Sequence, residues 1–254
     1  MRIISFSADG IIDAAENGFY EWLSEQDADF VCIQDLRCSE YDLQDNKFFP
    51  QDYNAYFLDD IDGKANGVAL YCRKLPKAIM TGLGFADFDM EGRYIQADYE
   101  NLSVGCLLAP QAEPGNAEQL ARKAEFYELL GAHLQKVRNK RREFVICGNW
   151  QLAHTPADVQ DTDRNSTTPG FLAEERQWLN ELYDAGYVDA FREVSSDQDE
   201  FSWWPEGKRG ENGWRTDFHV ISKGLQYTVD YGAIYTNKVF SSHSPIIMDY
   251  DIEV

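Results

Sequence analysis

"EFVICGNWQLAH", residues 143–154, passes from an apolar, β-branched run into a polar loop within a few residues. The run 143–148 reads as a strand, because β-branched and aromatic side chains favour a pleated, buried surface. The loop after Gly148 then carries two amides, Asn149 and Gln151, and one imidazole, His154, at the strand's carboxyl end. Its polar positions hold no acid, so the first question is whether it is a reaction site or the frame of one.

The sequence upstream sets this strand in a sheet. "LSVGCLL" (102–108) reads as another strand. Residues 116–138 form a predicted helix with Leu120, Ala124, Tyr127, Leu130 and Leu134 on one stripe. Towards the N-terminus the same alternation recurs: a strand at 2–6, a helix over 12–26 with Ala15, Phe19, Trp22 and Leu23 on its buried face, and the strand "DFVCIQ" (29–34). Shorter strands are predicted at 53–58, 67–73, 77–81 and 93–98. After the loop 155–170 come a helix at 173–185 and strands at 201–204, 215–221, 231–235 and 245–250. Two α/β halves of similar size emerge. They predict a four-layered α/β sandwich, two packed sheets flanked by helices, with its functional site where the strand ends of both sheets meet.

Composition narrows the class. With 254 residues, 44% of them hydrophobic, the chain can bury a large core, and no Pro-rich, repeated or low-complexity segment divides it. One domain over 1–254 is expected. No run of about 18 apolar residues suits a membrane helix, and "MRIISFSADG" reads as a first strand and not as a leader. Five widely spaced cysteines (Cys32, Cys38, Cys72, Cys106, Cys147) suit reduced thiols in a cytoplasm. The net charge of −21, from 44 acidic against 23 basic side chains, repels a polyanion at long range, so weak or no nucleic-acid binding by the chain alone is expected. Asn165-Ser166-Thr167 matches a glycosylation sequon only formally.

The strand ends carry the informative residues: "FSADG" (6–10), "CIQD" (32–35), "LLAPQ" (107–111), "GNWQLAH" (148–154), "WRTDF" (214–218) and "FSSHSP" (240–245). In this order and spacing they resemble the signature loops of the exonuclease III branch of the endonuclease/exonuclease/phosphatase superfamily, as do "GVALYCR", "GRYIQAD", "GFLAEERQWL" and "VDAF" between them. The resemblance implies metal-dependent phosphodiester cleavage. That chemistry uses a carboxylate cage for a divalent ion, a base for the attacking water and donors for the developing charge. Along the six loops the family places Asn, Glu, Tyr, an Asp and an Asn, Asp, and an Asp-His pair. Those positions here hold Ser7, Asp35, Leu108, Asn149, Gln151, Asp217, Ser242 and His243, of which Asp217 and His243 match.

Each departure has a chemical meaning. An amide at 149 cannot take up a proton at neutral pH. Asp35 keeps the charge of a Glu but draws its oxygens back by about 1.5 Å, Leu108 lacks a phenol, and Ser242 lacks the acid expected to orient His243. No catalytic residues, no resident metal and no enzymatic activity are therefore expected. The alternative is a DNA-repair nuclease of exonuclease III or abasic-endonuclease type with an atypical Mg²⁺ site, built from Asp9, Asp35 and Asp217 or from Asp35 and Asp217 alone. His243 and His154 are expected to be packed or hydrogen-bonded residues.

A finer resemblance follows from "QDLR" (34–37), "LLAP" (107–110), "KRREF" (140–144) and "QDEFSWWP" (198–205), which are similar to stretches of the catabolite repression control (Crc) family of gammaproteobacteria. That similarity implies a post-transcriptional regulator that joins the RNA chaperone Hfq on A-rich messages and represses their translation. Candidate RNA or partner contacts are the basic cluster Lys136, Arg138, Lys140, Arg141 and Arg142, which can touch several phosphates, and the aromatic residues Trp203 and Trp204, with Phe201 beside them, as a stacking platform. Pairing of the cations with the end of the 116–138 helix, and burial of the rings in the core, are the competing readings.

Overall fold

A computed structural model describes residues 1–254. The strands are β1 (Arg2–Ser7), β2 (Phe30–Gln34), β3 (Asn54–Leu58), β4 (Val68–Cys72), β5 (Ala78–Thr81), β6 (Tyr94–Asp98), β7 (Leu102–Leu108), β8 (Glu143–Asn149), β9 (Tyr187–Asp189), β10 (Asp217–Ser222), β11 (Val229–Ile234) and β12 (Ile246–Tyr250). The helices are α1 (Ile11–Glu16), α2 (Phe19–Leu23), α3 (Ala86–Asp89), α4 (Ala117–Val137), α5 (Thr162–Asn165), α6 (Ala173–Asp184) and α7 (Ala190–Val194).

Two six-stranded sheets result, in the orders β11-β12-β1-β2-β4-β3 and β5-β6-β7-β8-β10-β9. Each is mixed, with one parallel pair at its centre: β1 with β2, and β7 with β8. Parallel neighbours need a crossover, and helices supply both. α1 and α2 carry the chain from β1 to β2, and α4 carries it from β7 to β8.

Period-two alternation assigns each strand residue to a layer. In β2, Phe30 and Cys32 join the core between the sheets with Val104, Cys106 and Cys147, whereas Val31 and Ile33 face outward beneath α1 and α2. In the second sheet, Ile146, Phe218 and Val220 face outward and meet Phe126, Tyr127, Leu130 and Leu134 of α4 and Leu179 of α6. The layers therefore run helices, sheet, sheet, helices, as the sequence predicts. Each fully buried apolar side chain of this kind contributes about 1.5–3 kcal/mol. All five cysteines are free and buried, and no helix is long and apolar enough to cross a membrane.

The structure revises three sequence expectations. The helix predicted over 12–26 is two short helices, because Gly18 adopts a left-handed conformation (φ 86°) and breaks the first. On α4 the buried stripe runs through Lys123, Phe126, Tyr127, Leu130, Leu134 and Val137, while Ala124 faces solvent. Residues 201–204 form no continuous strand: Trp203 makes only isolated bridges, to Trp214 and to His243.

Candidate active site

The carboxyl ends of both parallel pairs meet on one side of the molecule. In the second sheet, Leu108 pairs with Asn149 across β7 and β8, and Asn149 pairs with Asp217 across β8 and β10, so three of the sequence-selected positions form one row. In the first sheet Ser7 ends β1 and lies beside Gln34, one residue before Asp35. The Asn149 amide bridges the two sheets by donating from Nδ2 to Ser7 Oγ at 3.2 Å, while its Oδ1 accepts from the Gln151 backbone at 3.0 Å. Within the second sheet Gly148 permits the close approach of β8 to β7, since a Cβ there, at φ 148°, would lie 2.0 Å from the Leu107 carbonyl oxygen.

Asp217 and His243 form a buried pair. The ring Nδ1 lies 2.8 Å from Asp217 Oδ2, and Ser202 Oγ donates to the same oxygen at 2.6 Å. Sequence reasoning expected His243 to have lost its orienting acid with Ser242. The acid that holds the ring is Asp217, at the start of β10, a pairing that adjacency in the chain cannot reveal. Burial disfavours the imidazolium, but Asp217, reinforced by Asp9 and Asp35, prevails and raises the His243 pKa above its ordinary value. Trp203 stacks on the ring at 5.7 Å between centroids and 19° between planes.

Just past the ends of β1 and β2 lie Asp9, Asp35 and Arg37, and all three have left-handed backbones (φ 53°, 59° and 53°). Non-glycine residues in such conformations concentrate at functional sites, and sequence alone gives no sign of these. Arg37 Nη2 donates to Asp35 Oδ2 at 2.6 Å and to Asp9 Oδ1 at 3.3 Å. The Ser242 backbone N–H donates to Asp9 Oδ2 at 3.0 Å, and the Ser242 hydroxyl donates to the same oxygen. Ser242 thus anchors Asp9 and not His243. Burial raises the Asp9 pKa, yet His243, the Ser242 hydrogen bonds and Arg37 together bring it below the ordinary carboxylate value. At Asp35 burial wins over Arg37 and the pKa is raised.

Beside His243 runs a cleft of about 320 Å³, lined among others by the amides of Gln111, Gln151, Asn165 and Asn212 and by the rings of Trp203 and Trp214. Beneath it, buried Lys123 donates to the Gln151 carbonyl at 2.8 Å and to Glu175 at 2.6 Å. The apolar-stripe reading of α4 missed this lysine because a buried cation breaks the pattern that defines the stripe.

Other candidates offer no group to the cleft. Leu108 is buried in the core between the sheets. Phe201 and Trp204 are buried, and Trp204 lies 3.8 Å beneath the Arg209 guanidinium. His154 is hydrogen-bonded to Asn180 at 2.7 Å and packs on Tyr183. The basic cluster surrounds the start of β8, whereas the cleft lies at its end, about 20 Å away at the usual rise per strand residue. Within that cluster Arg142 pairs with Asp98 at 2.7 Å and Arg138 donates to the Ala185 carbonyl.

The donor set does not fit a caged divalent ion. No three His, Cys, Asp or Glu side chains converge as metal ligands. Arg37 holds both Asp9 and Asp35, and the one orphaned carboxylate oxygen, Asp217 Oδ1, is a single buried atom. A hard cation asks for about six oxygens.

This fold is that of a known class: residues 13–234 match the endonuclease/exonuclease/phosphatase family, and the chain belongs to it. Within that family it falls in the exonuclease III/AP endonuclease branch. It is 28% identical over 253 residues to the exodeoxyribonuclease of Bacillus subtilis (strain 168), covering 97% of this chain and 98% of that one. It is 29% identical over 254 residues to the DNA repair nuclease APEX1 of Danio rerio, covering 98% of this chain and 81% of that protein. Its fold matches that of an AP endonuclease from Archaeoglobus fulgidus with a TM-score of 0.90, covering 99% of this chain and 100% of that one at 22% identity. The expectation that the chain is not an enzyme is therefore corrected, because these full-length relatives are named as enzymes. The expectation rested partly on the loss of an acid at position 242, but Asp217 supplies an acid to His243 instead.

Proposed function

We propose that the chain is a DNA phosphodiesterase of the exonuclease III/AP endonuclease type with an atypical site. The observation that carries this reading is the continuity between the Asp217–His243 pair and the amide- and tryptophan-lined cleft, joined by the stacking of Trp203 on His243. A phosphate at His243 leaves the adjoining nucleoside among side-chain amides and indole faces, groups suited to sugar oxygens and bases. With Nδ1 held by Asp217, the other ring nitrogen is free to donate to a phosphate oxygen or to protonate a leaving oxygen, a contribution of about 10²–10⁴ in rate. Asp35, the acid with the raised pKa, is the nearby group suited to accept the proton of an attacking water, and Asp9 stays ionised and holds Ser242. Asn149 positions the two sheets and takes no proton.

Single-turnover cleavage of duplex DNA carrying an abasic site, with Mg²⁺ and with a chelator, tests the proposal. Product is expected from the wild type, and Asp217→Ala or His243→Ala should lower the rate by at least about 10². Wild-type protein without turnover in either buffer, or turnover indifferent to Asp217→Ala, overturns it.

A second reading rests on the basic cluster. Lys136, Lys140 and Arg141 are exposed and make no ion pair in a chain of net charge −21, which leaves a local cationic patch remote from the cleft. Such a patch suits phosphate contacts. With the stretches similar to the Crc family, it supports assembly with an Hfq-type chaperone on A-rich RNA. Co-migration of all three components, reduced by Lys136→Glu with Arg141→Glu, is the expected result. Failure of the three to assemble removes this reading.

A further inference from the structure

We propose that Arg37 is the built-in cation of the site, standing between Asp9 and Asp35 where the family's chemistry calls for a divalent metal. It concerns the same site as the DNA-cleavage reading but does not depend on whether the chain cleaves DNA.

The geometry is that of a ligand shell closed on a side chain. A single nitrogen, Arg37 Nη2, donates to one carboxylate oxygen of each acid, Asp35 Oδ2 at 2.6 Å and Asp9 Oδ1 at 3.3 Å. The second terminal nitrogen, Nη1, donates to the backbone carbonyl of Asp9 at 3.1 Å. Three oxygens from two loops thus converge on one guanidinium. Charge-assisted bonds of this kind are stronger than neutral ones, and the planar fork fixes their directions.

The backbone is shaped to deliver it. Arg37 and Asn66 are both left-handed, and the Arg37 N–H donates to the Asn66 carbonyl at 2.9 Å. Leu36 is tied to Gly67 at 3.2 Å, and Gly10 and Ile11 are tied to the Asp35 and Leu36 carbonyls at 2.9 and 3.0 Å. These bonds clamp the loop of Asp9 against the loop of Asp35. The left-handed turn at both Asp35 and Arg37 then brings residue 37 back over residue 35. A carboxylate shorter than Glu at 35 also fits, because the arginine reaches towards the acid. With the positive charge supplied by the chain, Asp9 and Asp35 are neutralised without an ion, and the remaining acid, Asp217, is committed to His243 and Ser202.

Mn²⁺ binding to DNA-free protein, followed by electron paramagnetic resonance of the free ion at near-physiological salt to suppress diffuse binding to the acidic surface, tests the proposal. The wild type should show no discrete site. Arg37→Gln, which removes the charge from a half-exposed side chain, should gain one bound ion per chain. Arg37→Lys, which keeps the charge, should gain none, and adding Asp9→Asn to Arg37→Gln should abolish the gain. A discrete site in the wild type overturns the proposal, and so does an Arg37→Gln protein that is folded by circular dichroism yet binds nothing more. An equal gain in Arg37→Lys, or a gain that survives Asp9→Asn, overturns it as well. Should Arg37→Gln fail to fold, the wild-type and Arg37→Lys titrations still decide.

Discussion

His243 is held by three kinds of contact at once: an ionic hydrogen bond to Asp217, a stacked indole from Trp203, and a loop pinned by Arg209, which donates to the His243 carbonyl at 3.1 Å. The raised pKa of the ring has a definite sign in pH. The imidazolium's stabilising contribution is complete below its unfolded value near 6.5 and is lost as pH rises through the higher folded value. An activity that needs the proton on His243 should fall over that same range. Replacing Asp217 with Asn removes the charge that raises the pKa while burial remains, so the falling limb should move to lower pH in Asp217→Asn. The wild-type and variant pH–rate profiles, or the imidazole resonances followed through a titration, check this. An unmoved limb would mean that another group controls it. The role of the pair was only half legible in the sequence. Asp217 and His243 were both selected from their loops, but the partner of each is set by antiparallel pairing of β10 with β8 and by Trp203 bridging to His243, and neither is a local property of the chain.

At the scale of elements, the loop after β8 is tied to the sheet by a buried charge network. Asp158 accepts from Arg215 Nε at 2.8 Å and from Arg192 Nη2 at 2.7 Å, and Arg215 Nη2 donates to Asp189 at 2.7 Å. Burial by itself lifts the Asp158 carboxyl, but Arg215 and then Arg192 hold it far below the usual carboxylate range. Its contribution is therefore complete above the unfolded value near 3.9 and drains away as pH falls towards the depressed folded value. Arg215→Ala strands Asp189 in the interior without a cation and leaves Asp158 to Arg192 alone, and should cost about 3–5 kcal/mol, read as a lower denaturation midpoint with an unchanged denaturant slope. A loss below about 1 kcal/mol would imply that the two acids find water or other partners. Elements of strong period were legible: β1, β2, β7, β8 and α4 lie where apolar runs predict them. The break at Gly18 was overridden in the reading by the spacing of Phe19, Trp22 and Leu23, and those residues are buried on both sides of the break. The triplet Phe201, Trp203 and Trp204 looked strand-like through aromatic content, yet its backbone partners are shared between Trp214 and Ser242, so no continuous ladder forms.

For the whole molecule, the net charge of −21 opposes approach to a polyanion, while the group offered to a phosphate, His243, is compensated by Asp217 within hydrogen-bonding distance. Long-range and short-range electrostatics therefore pull in opposite directions, and ionic strength separates them. At about 10 mM salt the Debye length is about 30 Å and the whole molecular charge faces the DNA, but at about 150 mM it is about 8 Å and only nearby groups count. An encounter with few phosphate contacts releases few counterions, so affinity should lose little with salt. The association rate with duplex DNA should consequently rise as salt increases over this range, opposite to the behaviour of proteins steered by a positive face. Stopped-flow mixing with fluorescent duplex checks the sign directly. A rate that falls with salt would place the encounter on a locally positive surface, and the exposed Lys136, Lys140 and Arg141 form one remote from the cleft. Charge reversal at Lys136 and Arg141 would then remove the salt dependence, whereas an encounter at the cleft leaves it unchanged.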